Sequence, residues 1–88
     1  MFIHIGENVV IPEKSIIAII DMDSINMSED TKQFLKVADE EGFVKKVTND
    51  EPKSFILAEV DNKTYIYLSP ISSVTLCKRS KFVDDLNN

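Results

Sequence analysis

Two extended runs, SFILAEV and TYIYLS, lie on either side of Asp61-Asn62-Lys63. β-Branched and aromatic side chains favour strands, whereas Asp and Asn accept the backbone conformations of tight turns. The pattern therefore predicts a β-hairpin over residues 54–69. This hairpin is the clearest strand signal in the chain, so the fold must accommodate an antiparallel pair in its C-terminal half.

Four further segments have the composition of strands. They are FIHIG, NVVIP, SIIAIID and FVKKVT, and Pro12-Glu13-Lys14 separates the second from the third. In SIIAIID the apolar residues occupy both alternating sets, which is typical of a strand that is buried on both faces. We therefore expect SIIAIID to be a central strand.

A helix is predicted over residues 28–41. Ser28 is a favourable N-cap, and Glu29 and Asp30 place negative charge in the first turn, where the helix dipole favours it. Gly42 supplies a C-terminal stop. The preceding DMDSINM is a turn-rich acidic link.

A second helix is predicted near the C-terminus, with Ser69 as its N-cap, Pro70 at its first position and its end near Lys81. The last residues are polar, and the segment that they form is short. We therefore expect one domain over residues 1–82 and a polar tail over residues 83–88. The elements together predict an α+β fold, with a small antiparallel-rich sheet and two helices.

Length and charge limit what the chain can do. With 88 residues there is room for a single small domain. The formal net charge is -5; residues 1–44 hold nine acidic and three basic side chains, and residues 45–88 hold six and seven. Phosphate binding depends on cations, so any contact with nucleic acid must be local.

Cys77 is the only cysteine, so the chain cannot form an internal disulfide, and a reducing compartment fits best. No run of eighteen apolar residues and no secretory signal is evident. We therefore expect a cytoplasmic protein without a membrane partner. Cys77 itself and His4, which lies between apolar residues, are interpreted as structural.

The sequence lacks the motifs of common catalytic and ligand sites. It has no glycine-rich phosphate loop, no paired metal ligands and no nucleophile elbow, so we expect no enzyme, cofactor, metal or small-molecule ligand. Asp21 and Asp23 alternate as in a calcium loop. Asn26 stands where that loop needs glycine, and Lys32 where it needs a bidentate Glu, so the motif fails.

The candidate phosphate contacts are cations in turns and at a helix end. Lys14 and Lys53 each lie in a predicted turn, and Lys78, Arg79 and Lys81 close the final helix. Each also has a structural interpretation, because turns are polar and cations near a helix C-terminus stabilise its last carbonyls. The residues alone leave both interpretations open.

Four segments carry a resemblance to a known family: IHIG, SIIAI, PKSFIL and YLSPISSVTLCKR. Over about residues 2–81 the chain resembles the small bacterial extracellular matrix regulatory proteins of the RemA and RemB type, most of all the RemB branch. The resemblance implies a compact α+β subunit similar to LytTR-type DNA-binding domains. It also implies assembly into an oligomer, in the form of a symmetric ring, that binds double-stranded DNA and regulates biofilm-matrix genes.

The chain departs from this family where the DNA contacts are expected. The family's DNA-contacting arginines correspond here to Lys14-Ser15 and to the segment 50–54, in which Asp50 and Glu51 precede Pro52 and Lys53. Lysine is a weaker bidentate phosphate ligand than arginine. Two hypotheses follow: a DNA-binding regulator that uses Lys14, Lys53 and the final helix, or an oligomerising interaction module that has lost DNA binding.

Overall fold

A computed structural model describes the backbone of residues 1–25 and 29–87 and the side chains of residues 1–23 and 29–80. The strands are β1 (Phe2–Gly6), β2 (Val9–Pro12), β3 (Ile16–Asp21), β4 (Val44–Lys46), β5 (Ser54–Val60) and β6 (Lys63–Ser69). The α-helices are α1 (Met22–Ile25), α2 (Glu29–Glu40) and α3 (Ser73–Asn87), and a 3₁₀ turn spans Glu13–Ser15. The α+β class is confirmed, with α2 and α3 as the two longer helices.

The predicted hairpin is confirmed as β5 and β6. Its ladder runs from Ser54 opposite Ser69 to Val60 opposite Lys63. Asp61 and Asn62 have φ of 53° and 67°. Positive φ at both central residues is typical of the type I′ turn, whose twist matches that of the flanking strands. The turn therefore contains Asp61 and Asn62, and Lys63 belongs to β6.

The sheets are mixed. β1 and β2 form a separate antiparallel pair, and the larger sheet has the order β3-β5-β6-β4. β4 pairs with β6 in parallel, with Lys46 opposite Leu68. Most of the pairing is antiparallel, as expected, but α2 returns the chain to the far edge of the sheet and makes this last pair parallel.

The expectation that SIIAIID is a central strand was wrong, because β3 forms an edge of the larger sheet. Ile16 and Ile19 pack towards one core and Ile20 towards the other, so both faces of β3 are partly covered. Ile17, at a register shift, is 56% exposed. Apolar residues on both alternating sets indicate that both faces of a strand are covered. They do not indicate that the strand pairs with another strand on each side.

Each face of the larger sheet carries its own core. The first core joins β1, β2 and α3 to one face, and its buried members are Ile3, Ile5, Ile11, Val47, Ile56, Ala58 and Leu76. The second core lies under α2, and its buried members are Ala38, Phe55 and Ile66. Alternate residues of β5 therefore supply both cores, as strand geometry requires.

α2 agrees with the predicted helix 28–41, although the predicted cap Ser28 lies outside the described residues. Its C-terminal stop is confirmed. The Phe43 amide donates to the Ala38 carbonyl at 2.9 Å, and the Gly42 amide donates to the Asp39 carbonyl at 3.1 Å. This is a Schellman motif, and the φ of 85° at Gly42 fits it. Before α2, the predicted acidic link begins instead with the single helical turn α1.

The predicted start and end of the last helix were wrong. Ser69 is the final residue of β6, and its buried hydroxyl donates to the Ile5 carbonyl at 2.6 Å and accepts from the Ile71 amide at 3.0 Å. The N-cap is Ser72, whose hydroxyl accepts from the Thr75 amide at 3.2 Å. The helix continues to Asn87, through most of the segment expected to be a tail. Ser69 and Ser72 are both suited to capping a helix. The long-range bond from Ser69 to Ile5 is what leaves Ser72 as the cap.

Within the described part of the chain, no helix has both the length and the apolar composition that a membrane crossing requires.

Replacement of Gly6 by alanine should be strongly destabilising. Gly6 has φ of 132°, and an added Cβ would lie 2.7 Å from Cδ of Pro70 and 3.0 Å from Cγ1 of Val47. Backbone strain and overpacking each cost roughly 1–3 kcal/mol. Gly42→Ala is the control, because φ there is also positive but no atom lies within 4 Å. Urea unfolding should show a clearly larger loss for Gly6→Ala; equal losses would contradict the close approach.

Replacement of Ser69 by alanine should lower the free energy of unfolding by roughly 1–3 kcal/mol, because the Ile5 carbonyl loses its buried donor. Ser80→Ala serves as a control. Its hydroxyl donates to the Cys77 carbonyl at 3.0 Å within one helix turn, so we expect a change within about 0.5 kcal/mol. Denaturant titration of both variants measures the difference, and a neutral Ser69→Ala would be inconsistent with this bond.

Candidate nucleic-acid interface

The predicted contacts fall on three elements. Lys14 lies in the 3₁₀ turn between β2 and β3, Lys53 immediately precedes β5, and Lys78 and Arg79 lie in α3. All of these residues are exposed. Lys81 is in the backbone of α3, but its side chain lies outside the described part of the structure.

A single subunit does not bring Lys14 and Lys53 together. The β3–β5 ladder runs from Ile16 opposite Ala58 to Asp21 opposite Ser54. Lys14 precedes the first end and Lys53 lies at the second. Five steps of about 3.4 Å separate these ends by about 17 Å. The two turns therefore face different ends of the sheet.

The backbone of Lys53 is held firmly although its side chain is exposed. Its amide donates to the Ser69 carbonyl at 2.8 Å, and its carbonyl accepts from the Met22 amide at 3.1 Å. The neighbouring turn presents the exposed acids Asp50 and Glu51. The Asp50 amide is bound to the Thr48 hydroxyl at 3.2 Å, which orders this acidic turn. A polyanion approaching Lys53 therefore meets negative charge beside it.

Lys46 is an exposed cation near Lys53 that the sequence did not single out and that is not one of the predicted phosphate contacts. It lies opposite Leu68 on one side of β6, whereas Lys53 bonds to Ser69 on the other side. Two strand spacings put the two backbones about 10 Å apart. The adjacent Lys45-Lys46 pair in a short strand was the available signal, because edge strands often carry lysines. Its position beside Lys53 depends on the parallel β4–β6 pairing, which local sequence does not reveal.

Arg79 has a structural partner. Its Nη1 donates to the His4 carbonyl at 2.7 Å and so ties α3 to β1. The His4 ring in turn donates from Nε2 to the Glu7 carbonyl at 2.6 Å, across the β1–β2 turn. This hydrogen bond supports the structural interpretation of His4. Lys78, one residue before Arg79, makes no hydrogen bond or ion pair among the described residues.

Two tyrosines on β6 share the sheet face opposite α2. Burial raises the pKa of the Tyr67 hydroxyl above its ordinary value, and the neighbouring Tyr65 adds to the increase. The Lys45 ammonium lies 5.2 Å from the centroid of the Tyr65 ring, within cation–π range. This lysine is thus associated with an aromatic ring on the face opposite Lys46.

The acidic link offers no metal site in the described residues. There the Asp21 carboxylate accepts from the Asp23 amide at 3.2 Å, a local turn contact. No group of three or more His, Cys, Asp or Glu side chains in the described residues could hold a metal ion. Among the described residues, the groups that could contact a partner here are therefore exposed cations, exposed acids and apolar side chains.

Removal of the Arg79 side chain should cost about 1 kcal/mol of folding stability, because the His4 carbonyl loses a charged donor at a partly hydrated site. Lys78→Ala is a matched control one residue away, with an expected change within about 0.5 kcal/mol. Thermal or urea unfolding of Arg79→Ala and Lys78→Ala makes the comparison. Equal effects would show that the bond to His4 contributes nothing measurable.

The comparisons with known proteins agree with the resemblance seen in the sequence. Residues 2–80 match the model of the RemA-like family, described as extracellular matrix regulatory protein A-like. The chain is also 36% identical over 88 residues to the extracellular matrix regulatory protein B of Bacillus subtilis (strain 168), with the whole of both chains aligned. The protein belongs to the RemA-like family.

Proposed function

We propose that this protein is a cytoplasmic, oligomeric DNA-binding regulator of extracellular-matrix genes, with a LytTR-like subunit. The observation that carries the proposal is family membership across nearly the whole chain, together with full-length similarity to an extracellular matrix regulatory protein. Lys14 and Lys53 make the main phosphate contacts, and Lys78, Lys81 and the remaining donors of Arg79 add to them.

The charge distribution supports binding by an assembly. One subunit has a net charge of -5 and offers Lys14 and Lys53 at opposite ends of the β3–β5 ladder. Weak contacts of this kind become effective when several subunits present them to one duplex, because each later contact forms at high effective concentration. A symmetric oligomer repeats every contact at a fixed spacing.

Exposed apolar surface supports self-association. Phe2 and Val10 on the β1–β2 pair are 67% and 53% exposed, and Ile17 on the edge strand β3 is also exposed. Among the described residues, no backbone hydrogen bond from outside the β3–β5 ladder reaches residues 17–20. An open apolar edge requires a cover or a partner strand. A second copy of the chain supplies one.

The acidic turn favours the second candidate function, an oligomerising interaction or scaffold module. Asp50 and Glu51 are exposed beside Lys53. In an oligomer they are repeated as often as the lysine, and they repel a duplex. Both candidate functions require an oligomer, but only the first requires DNA binding.

The first experiment sizes the protein by light scattering and then measures the mobility of a promoter-sized duplex at about 50 and about 200 mM salt. We expect an oligomer whose DNA complex weakens steeply with salt. An oligomer that leaves DNA unshifted at the lower salt would favour the scaffold module, and a monomer at micromolar concentration would count against both functions.

Lys53→Gln should reduce the slope of log affinity against log salt by about one for each phosphate that the lysine no longer neutralises. Lys63→Gln is its control. It removes the same charge from an exposed residue at the other end of the β5–β6 ladder. A slope that falls equally in both variants would indicate a general charge effect and would contradict a specific phosphate contact at Lys53.

A further inference from the structure

A groove of about 310 Å³ lies along one side of α2, between the helix and the edge strand β4. Its apolar lining comes from Met22, Leu35, Val44 and Leu68, which are all half-buried and border the second core. We call this the lysine groove, because its charged lining is Lys32, Lys36, Lys46 and one acid, Asp39. The groove thus combines apolar surface with an excess of positive charge on an acidic protein.

The lysine groove keeps a small excess of positive charge, because three lysines and one acid line it, although the acidic turn at residues 50–51 shares a neighbouring pocket with Lys46. Lys32 lies 3.8 Å from Glu29, one turn earlier in α2. Lys36 and Lys46 are exposed, and neither forms an ion pair with any described carboxylate. The three lysines come from two consecutive elements, α2 and β4, which place them on opposite sides of the groove. An anionic group entering from solvent would meet cations on both walls.

The apolar lining distinguishes this groove from a phosphate-binding surface. A duplex backbone gains from cations, but it presents no apolar group to cover four half-buried aliphatic side chains. Protein interfaces commonly place apolar contacts at the centre and charged residues at the margin. The groove on the other side of α2, which includes Phe34 and Phe43, is also apolar, but Lys63 is the one cation among its described lining residues, so its charge specifies no partner.

We propose that the lysine groove binds a short acidic segment of a partner protein, in which Asp or Glu residues flank apolar side chains. The apolar side chains pack on Leu35, Val44 and Leu68, and the carboxylates pair with Lys36 and Lys46. This function is separate from DNA binding and does not depend on it. It gives a regulatory protein a way to respond to another protein.

Selection from a phage-displayed library of random dodecapeptides tests the proposal on the full-length chain, and it does not require the partner protein to be identified. Selected peptides should be enriched in Asp and Glu together with Leu, Ile, Phe or Met, relative to the unselected library. Their binding is then measured by fluorescence polarisation. Basic or purely apolar consensus sequences, or no enrichment, would overturn the proposal.

Lys46→Glu and Lys45→Glu form a matched pair, because adjacent strand residues point to opposite faces and Lys45 lies over Tyr65. We expect Lys46→Glu to weaken the selected peptides by about fivefold or more, and Lys45→Glu to change binding by less than about twofold. Equal effects would overturn the groove as the site.

Two glutamine variants, Lys46→Gln and Lys53→Gln, separate the protein partner from nucleic acid. Lys46→Gln should leave the salt slope of DNA binding unchanged, whereas Lys53→Gln lowers it. A loss at Lys46 as large as that at Lys53 would make the groove a nucleic-acid surface and overturn the peptide proposal. If DNA does not bind at all, the peptide measurements still show whether the lysine groove binds an acidic segment. The two proposals can therefore fail independently.

Discussion

The hydroxyl of Ser69 joins the first strand of the protein to the last strand of its central hairpin. It donates to the Ile5 carbonyl, 64 residues away in sequence, and Ser69 is fully buried, so water offers no replacement. Beside this bond, Gly6 lets the chain pass close to Pro70. The two contacts close the first core and direct the chain into α3. They also position the candidate site, because Lys53 bonds to Ser69 and Arg79 reaches β1.

Elements encoded by neighbouring residues were predictable from the sequence. The type I′ hairpin needs only two strand-forming runs and Asp61-Asn62, and the end of α2 needs only Gly42 at a position of positive φ. The strand order was not predictable in this way. Residue pattern indicates which faces of β3 are covered, but the neighbours of a strand are chosen by long-range packing. The start of α3 was missed for the same reason, since Ser69 is engaged by a distant carbonyl.

The candidate site also combines features that the sequence predicts with features that only the fold determines. Exposure of Lys14 and Lys53 in turns followed from composition, because turns carry polar residues. Their separation along the β3–β5 ladder required the register, and the partner of Arg79 required the packing of α3 against β1. Lys46 became relevant only through the parallel pairing of β4 with β6. Residue type thus indicated chemistry, whereas the fold determined which charges act together.

The two proposed surfaces are close enough to influence each other but not to exclude each other. Lys46 and Lys53 flank β6 with their backbones about 10 Å apart, so a carboxylate at Lys46 and a phosphate at Lys53 would be separated by a distance of that order. In water this repulsion is about 0.4 kcal/mol per charge pair, and salt at physiological strength reduces it further. One subunit would therefore accommodate both proposed ligands with little loss. In the proposed oligomer the small penalty would be repeated at every subunit, and the sum would allow a bound partner to weaken a multivalent DNA complex without any change in the fold.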